Sequence, residues 1–269
     1  MSPARVMAIG RARSVARSEE VAVDPSRRGH TALFLALTGI LAIAVLTAFV
    51  ASLEAWTPGA VLAVPLVALT ALWISGGAAT ALVGLAARHH RVQRVPADWT
   101  PQARTALLVT LCGEDAGPLA EHLARLYRDL EQAGTEGAVR IFVLSDTADP
   151  VHVAAEEAAL APLLQAGVIR YRRRDRNLGR KPGNLGEWVE RTGTDFDYML
   201  VLDADSRFTA ERVRSLVWQM ERRPRLGLLQ AGIALVRGRS RFGRHQRIAA
   251  RLMGPTFGRG LAAWSGDAG

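Results

Sequence analysis

Cysteine, lysine and asparagine are nearly absent from this chain of 269 residues. Its single cysteine, Cys112, excludes a disulfide framework and any metal centre built on cysteine. Of 34 basic side chains only Lys181 is a lysine, and both asparagines, Asn177 and Asn184, lie beside it in the stretch NLGRKPGN (177–184). There is no internal repeat, and no low-complexity segment beyond an arginine-rich N-terminus. Aromatic residues are scarce as well, at 6%. The most basic run, RYRRRDRNLGRK, offers only Tyr171 for stacking on a base. A net charge of +9 therefore does not by itself make a nucleic-acid binder, whose affinity would fall steeply with salt, and no nucleic acid is expected as a partner.

Charge is missing altogether from Gly29 to Leu53 and again from Ala55 to Ala87. Roughly 20 apolar residues cross a bilayer, so each run is long enough. A signal peptide would have one shorter apolar region, and a core hairpin would carry charge on one face. The pattern predicts two transmembrane helices, at about 31–53 and 60–87. Arg5, Arg11, Arg13, Arg17, Arg27 and Arg28 precede the first, while Arg88, Arg91 and Arg94 follow the second. The connection EAWTPG holds no cation, so both ends are expected on the cytoplasmic side of a bacterial inner membrane, near anionic lipid. Trp56 fits an interfacial anchor and Trp73 a packed position. The expected organisation is a basic flexible tail (1–28), a transmembrane helix pair (29–94) and a cytoplasmic domain (95–269).

Beyond the linker PADWTP come short apolar runs: TALLVTL (105–111), VRIFVLSD (139–146), VIRYRRR (168–174), YMLVLDAD (198–205) and LGLLQAG (226–232). Helical stretches separate them, and in the first Leu119, Leu123, Leu126 and Leu130 recur at helical spacing. Gly134, Gly167 and Pro224 read as helix stops, and Thr209 and Asp149 as helix starts. Such alternation predicts an α/β fold with a mostly parallel, doubly wound, Rossmann-like sheet. Ligands of such sheets bind outside the carboxyl ends of the strands.

Those ends carry acids: Glu114 and Asp115 after the first run, Asp146 after the second, Asp203 and Asp205 after the fourth. Two positions apart on a strand, Asp203 and Asp205 share a face, and two like charges there call for a cation. A hard divalent ion, Mg²⁺ or Mn²⁺, shared with substrate phosphates is one account; a solvated pair ahead of a helix cap is the other. Lys181 supplies a compact ammonium where arginine would bring a broad fork, which suits a phosphate at the base of a narrow crevice. Gly179 and Gly183 would allow close backbone approach, with Gly183-Asn184 opening the next helix toward an anion. An ordinary basic surface loop is the alternative. Glu114 and Asp146 suit hydrogen bonds to a base or ribose, or plain turn and cap roles.

Taken in order, LLVTLCGED, VLSDT, RKPGN and VLDADS resemble glycosyltransferase family 2. The fuller stretches TPQARTALLVTLCGED, FVLSDTADP, YRRRDRNLGRKPGN and YMLVLDADS resemble the membrane-bound glucosyltransferases that make osmoregulated periplasmic glucans (glucans biosynthesis glucosyltransferase H), over roughly 100–265. The resemblance implies a GT-A-type domain, an inverting hexosyltransferase that uses UDP-glucose and a divalent metal to elongate a β-glucan. By position it puts Glu114 and Asp146 at the uridine and Lys181 by the diphosphate, with Asn184 and Asp203 as further substrate contacts. Asp203 and Asp205 become the DxD pair, with Asp205 the direct metal ligand.

Two departures stand out. The family commonly has Asn where Gly113 stands and a small residue where Pro182 stands, and Pro182 removes an amide. The sequence closes on LAAWSGDAG, ahead of the family's acceptor-side base, its Gln/Arg/Trp motif and its C-terminal membrane helices. A truncated member or fragment is the expectation, and Asp267 is not taken as the base. A donor-binding but inactive protein, or a UDP-sugar sensor, is the rival function. The last stretch, RFGRHQRIAARLMGPTFGRGLAAW, reads either as a basic amphipathic helix on the inner leaflet or as a core-packing helix.

Overall fold

Each apolar run becomes a strand, and the stretches between become the helices that cover it. The computed structural model describes residues 7–10, 25–87, 94–135, 137–232, 234–236 and 240–266. In chain order these form β1 (Met7–Gly10), α1 (Pro25–Ala51), α2 (Pro58–Ala86), β2 (Thr105–Leu111), α3 (Ala116–Gln132) and β3 (Val139–Ser145). Then come α4 (Pro150–Gln165), β4 (Ile169–Arg173), α5 (Arg180–Thr192), β5 (Tyr198–Asp203), α6 (Ala210–Arg222), β6 (Leu228–Gln230) and α7 (Arg241–Ser265). They group into two units, Met1–Val15 with Gln93–Ile233 and Ala16–Val92 with Ala234–Gly269.

The first unit is built on a sheet of order β4-β3-β2-β5-β1-β6. β4, β3, β2 and β5 are parallel, and β1 runs antiparallel to both β5 and β6. Strand periodicity splits the apolar runs between two faces. Leu107, Val109, Leu111, Ile141, Val143, Leu200 and Leu202 join the buried residues of α3 and α6 on one side. Ala106, Leu108, Phe142, Leu144 and Val201 join Trp188 of α5 and Phe196 on the other. The Phe142 and Trp188 rings meet edge to face at 5.1 Å. Burial on both faces is why these strands read as continuous hydrophobic runs.

The starts read at Asp149 and Thr209 and the stops read at Gly134 and Gly167 fall where the sequence puts them. Asp115, Asp149 and Thr209 cap α3, α4 and α6 through their side-chain oxygens. Gly134 and Gly167 leave their helices in the left-handed conformation. Leu119, Leu123, Leu126 and Leu130 form the buried stripe of α3.

The second unit gathers α1, α2 and α7. Arg28–Ala51 and Pro58–Ala86 are helices long and apolar enough to cross a membrane, with mean hydropathies of 2.6 and 1.9 in their best windows. Leu35, Ile40, Ile43, Leu62, Leu66 and Leu69 stand exposed along them, as suits side chains that face hydrocarbon rather than a protein core. Trp73 corrects an expectation: it is 84% exposed, so it is an outward ring and not a packed one.

α7 packs on both of the other helices. Gly84 and Gly260 let the backbones of α2 and α7 touch, and the Phe34 and Trp264 rings stack at 4.0 Å. Trp264 Nε1 donates to Thr80 Oγ1 at 3.3 Å, and Thr31 Oγ1 donates to the Trp264 carbonyl at 2.8 Å. Its C-terminal half is thus a packing helix, while Phe242, Ile248, Leu252 and Met253 of the N-terminal half remain exposed.

Two expected boundaries change. The stretch assigned to a flexible tail contributes β1 to the sheet. Residues 234–269, expected within the cytoplasmic domain, group with the apolar helices instead. Arg5, Arg11, Arg13, Arg17, Arg88, Arg91 and Asp267 lie outside the described residues.

Candidate active site

The register of the parallel strands decides what meets at their carboxyl edge. Leu111 lies opposite Ser145, Ser145 opposite Arg173, and Thr110 opposite Asp203. The residues that follow, Cys112, Asp146 and Arg174, therefore emerge side by side, with the turn after Asp203 beside them. Helix α5 opens at the same edge, because it follows β4 after a short loop.

Lys181 lies in the first turn of α5 and pairs its Nζ with Oδ1 of Asp203. The two side chains are 36% and 33% exposed, so the pair is open to a ligand. The helix begins earlier than Gly183-Asn184, the expected opening: its N-cap is Gly179, in the left-handed conformation at φ 68°. Arg180 follows at φ 51°, the only non-glycine with positive φ among the described residues, a conformation that side chains with a Cβ seldom adopt. Pro182 falls in the first turn, where a missing amide breaks no helical hydrogen bond. Gly183 is needed by the loop itself: a Cβ there would collide with the Leu178 carbonyl, and its amide donates to the Gly179 carbonyl at 3.0 Å. Gly183→Ala is expected to reshape the Lys181 turn and destabilise the α/β unit by about 1–3 kcal/mol, the cost of a forced backbone shift of this kind, read as a lower urea midpoint.

Arg174 holds this loop against the sheet. Its Nε donates to Asp146 Oδ1 at 2.7 Å, with both side chains buried. The same guanidinium donates to the carbonyls of Leu178 at 3.1 Å and Arg180 at 3.2 Å. One side chain thereby joins the end of β3 to the strained turn that presents Lys181. The hydrogen bond that it donates to Asp146 raises the guanidinium's pKa beyond its usual value.

Asn184 is corrected from a substrate contact to an internal strut. It is fully buried, and Arg172 Nη2 donates both to its carbonyl at 2.9 Å and to its side-chain Oδ1. Glu187 sits between the two arginines, 3.6 Å from Arg172 and 3.8 Å from Arg174. Burial lowers the pKa of Arg172, against the opposing pull of Glu187.

Glu114 stays at the edge as expected, exposed, with Oε2 accepting from the Cys112 amide at 2.5 Å. Gly113 beside it has φ 85°, a region that glycine adopts without strain. Its amide donates to Thr147 Oγ1 at 2.9 Å, and that hydroxyl donates to the buried Glu156 at 2.6 Å. The Cys112 thiol is held protonated by burial first, then by Glu114, Asp146 and Glu156, so it is a poor nucleophile.

The argument that placed Asp203 and Asp205 on one strand face does not hold. β5 ends at Asp203, where the Ser206 amide closes a turn onto its carbonyl at 2.9 Å. Asp205 lies in that turn, exposed, with no side-chain partner among the described residues. The two carboxylates are neighbours through the turn, not through strand alternation. Among the described residues no three His, Cys, Asp or Glu side chains gather closely enough to hold a metal by themselves. The donor set nevertheless fits Mg²⁺ or Mn²⁺, which are commonly held by one or two carboxylates together with substrate phosphates and water.

Sequence reasoning missed Arg172, Arg174, Thr147 and Glu156. For the arginines a signal was present: in RYRRR (170–174), period two sets Arg172 within β4 and Arg174, just past its end, on one side of the chain.

Comparison with known proteins follows the same residues. The sequence pattern of glycosyl transferase family 2 matches residues 108–265, running through α7 although that helix packs with α1 and α2. Glucans biosynthesis glucosyltransferase H of Cereibacter sphaeroides is 35% identical over 208 residues, covering 76% of this chain and 35% of the relative. The Caulobacter vibrioides protein of that name is 39% identical over 166 residues, covering 61% of this chain and 25% of the relative. That of Dickeya dadantii is 35% identical over 211 residues, covering 74% and 25%. The chain spans about a third or less of the length of these relatives.

Proposed function

Since the chain belongs to glycosyltransferase family 2, we propose that it binds UDP-glucose and transfers glucose, with inversion, to a β-glucan at the cytoplasmic face of the inner membrane. The observation that carries this is the Lys181–Asp203 pair, half-open at a strand end beside an unpartnered Asp205. An ammonium and two carboxylates in one crevice match a diphosphate and a divalent cation arriving together. The relatives' name supports glucose and glucan.

In this reading Glu114 meets the uridine, and Asp146 stands behind it holding Arg174. Lys181 turns from Asp203 to the diphosphate, a point charge where arginine's fork would not fit. Asp203 and Asp205 would hold Mg²⁺ or Mn²⁺, which would supply positive charge beside the diphosphate. Arg174 and Arg172 keep the Lys181 turn rigid, so little reorganisation accompanies binding. The acceptor hydroxyl approaches C1 from the side opposite the diphosphate. The apolar helices α1 and α2 anchor the chain, both ends inward.

Calorimetry with UDP-glucose, with and without Mn²⁺, tests the reading on full-length protein in detergent. Asp205→Ala is expected to remove the Mn²⁺ dependence, and Lys181→Arg to weaken binding roughly tenfold, the scale of a lost charge-assisted hydrogen bond. A folded wild type that ignores UDP-glucose in both conditions would overturn it. Transfer of labelled glucose separates an enzyme from a donor-binding sensor.

A further inference from the structure

One buried side chain outside the residues assigned above touches the turn that carries Asp205. His122 belongs to α3, is 8% exposed, and its Nε2 accepts a hydrogen bond from the Phe208 amide at 3.2 Å. The neutral ring therefore carries its proton on Nδ1. Ala204 and Phe208 pack against the core of α3 and α6, but no other hydrogen bond among the described residues ties residues 204–208 to another element. The Ser206 amide reaches only Asp203, and Arg207 folds back onto the carbonyls of Ala204 and Ser206 at 3.2 Å. The Ser206 hydroxyl is buried without a partner. Immediately afterwards Thr209 caps α6, which anchors the far side.

We propose that His122 is a positioning residue: as a neutral acceptor it pins the Asp203–Phe208 turn to α3 and so sets where Asp205 stands beside Asp203. The inference rests on the reading of that turn as the metal–diphosphate site. An imidazolium donates at both nitrogens and accepts at neither, so protonation releases the Phe208 amide.

The charged groups that bear on the ring are Arg207, from the turn itself, and Arg125, one turn along α3 and paired with Glu121 at 3.7 Å. Burial first, then these two arginines, lower the pKa of His122 below its ordinary value. The native state thus favours the neutral ring. The contact is complete above the unfolded value of about 6.5 and is lost as pH falls through the lower native one. Sequence alone hides this role, because position 122 falls on the apolar stripe of α3 and reads as core.

The test compares wild type with His122→Gln, which keeps an acceptor and does not titrate, and His122→Phe, which keeps volume and loses the acceptor. Full-length protein in detergent is assayed for UDP binding with Mn²⁺ from about pH 7.5 to 4.5, reaching well below the ordinary histidine value, and for hydrogen exchange at the Phe208 amide. The wild type is expected to protect Phe208 and to lose roughly tenfold more affinity over that range than His122→Gln. The nucleotide's own titration is common to both and cancels. His122→Phe is expected to bind weakly at every pH with Phe208 exchanging fast. Unchanged affinity in a folded His122→Phe, or identical pH profiles for wild type and His122→Gln, would overturn the inference alone. A wild type without Mn²⁺-dependent UDP binding would overturn the donor-site reading, and this one with it.

Discussion

Arg174→Ala is expected to abolish donor binding and to destabilise the α/β unit by about 3–5 kcal/mol, the cost of leaving a buried charge without its partner. Arg174 and Asp146 are 7% and 5% exposed, so water cannot replace either. The same change frees the Leu178 and Arg180 carbonyls, and with them the turn that places Lys181. Arg174→Lys is expected to fall between, since one ammonium can reach Asp146 but cannot serve three acceptors in a plane. The decisive comparison is the double variant Asp146→Leu/Arg174→Met. Removing both charges costs less than removing either, so its urea midpoint should recover much of the loss while nucleotide binding stays absent. Equal destabilisation of the single and double variants would mean that the ion pair is not what holds this edge.

The second large effect is expected at Gly260. A Cβ there would run into the Thr80 carbonyl, and the neighbouring Gly84 is equally crowded, by Thr256. Backbone cannot swing aside as a side chain can, so Gly260→Ala should lift α7 from α2 and break the Trp264 contacts with Thr80 and Phe34. Overpacking of this kind costs about 1–3 kcal/mol. Trypsin cleavage after Arg259, which now donates to the Gly84 carbonyl at 3.3 Å, should accelerate roughly 10- to 100-fold, because the cleavage rate follows the population of the open form. Gly258→Ala is the control. Nothing lies within 4 Å of a Cβ at that position, so the change should gain helix propensity and leave cleavage unaltered or slower.

The fold was largely legible, because its signals are local. Apolar runs bounded by Asp149, Gly134 or Gly167 became strands and helices at those bounds, and the two uncharged runs became α1 and α2 within a few residues. What depended on distant pairing was not. Nothing in MAIG announces a strand between β5 and β6, and nothing in the last helix says which partner it takes. At the site, acids at strand ends were visible because a strand end is a local event. Arg174 was not, since its meaning lies in three acceptors brought together by the fold. Asn184 misled for the converse reason: its rarity and its place beside Lys181 suggested a ligand contact, whereas a buried polar side chain served the loop's own rigidity.

The packing of α7 has a consequence for how the protein is assembled. The helical unit is discontinuous in the chain: its first two members precede all of the α/β unit except β1, and its third follows it. Apart from β1, the α/β unit is therefore an insertion, its two ends joined to one helical frame. Bringing those ends together costs entropy that grows only slowly with the length enclosed, so a long insert is tolerated. During synthesis α1 and α2 must wait, with the Gly84 groove and the face of Phe34 uncovered, until more than a hundred intervening residues have emerged. Docking of α7 is then a late event, and it marks that everything between has been made.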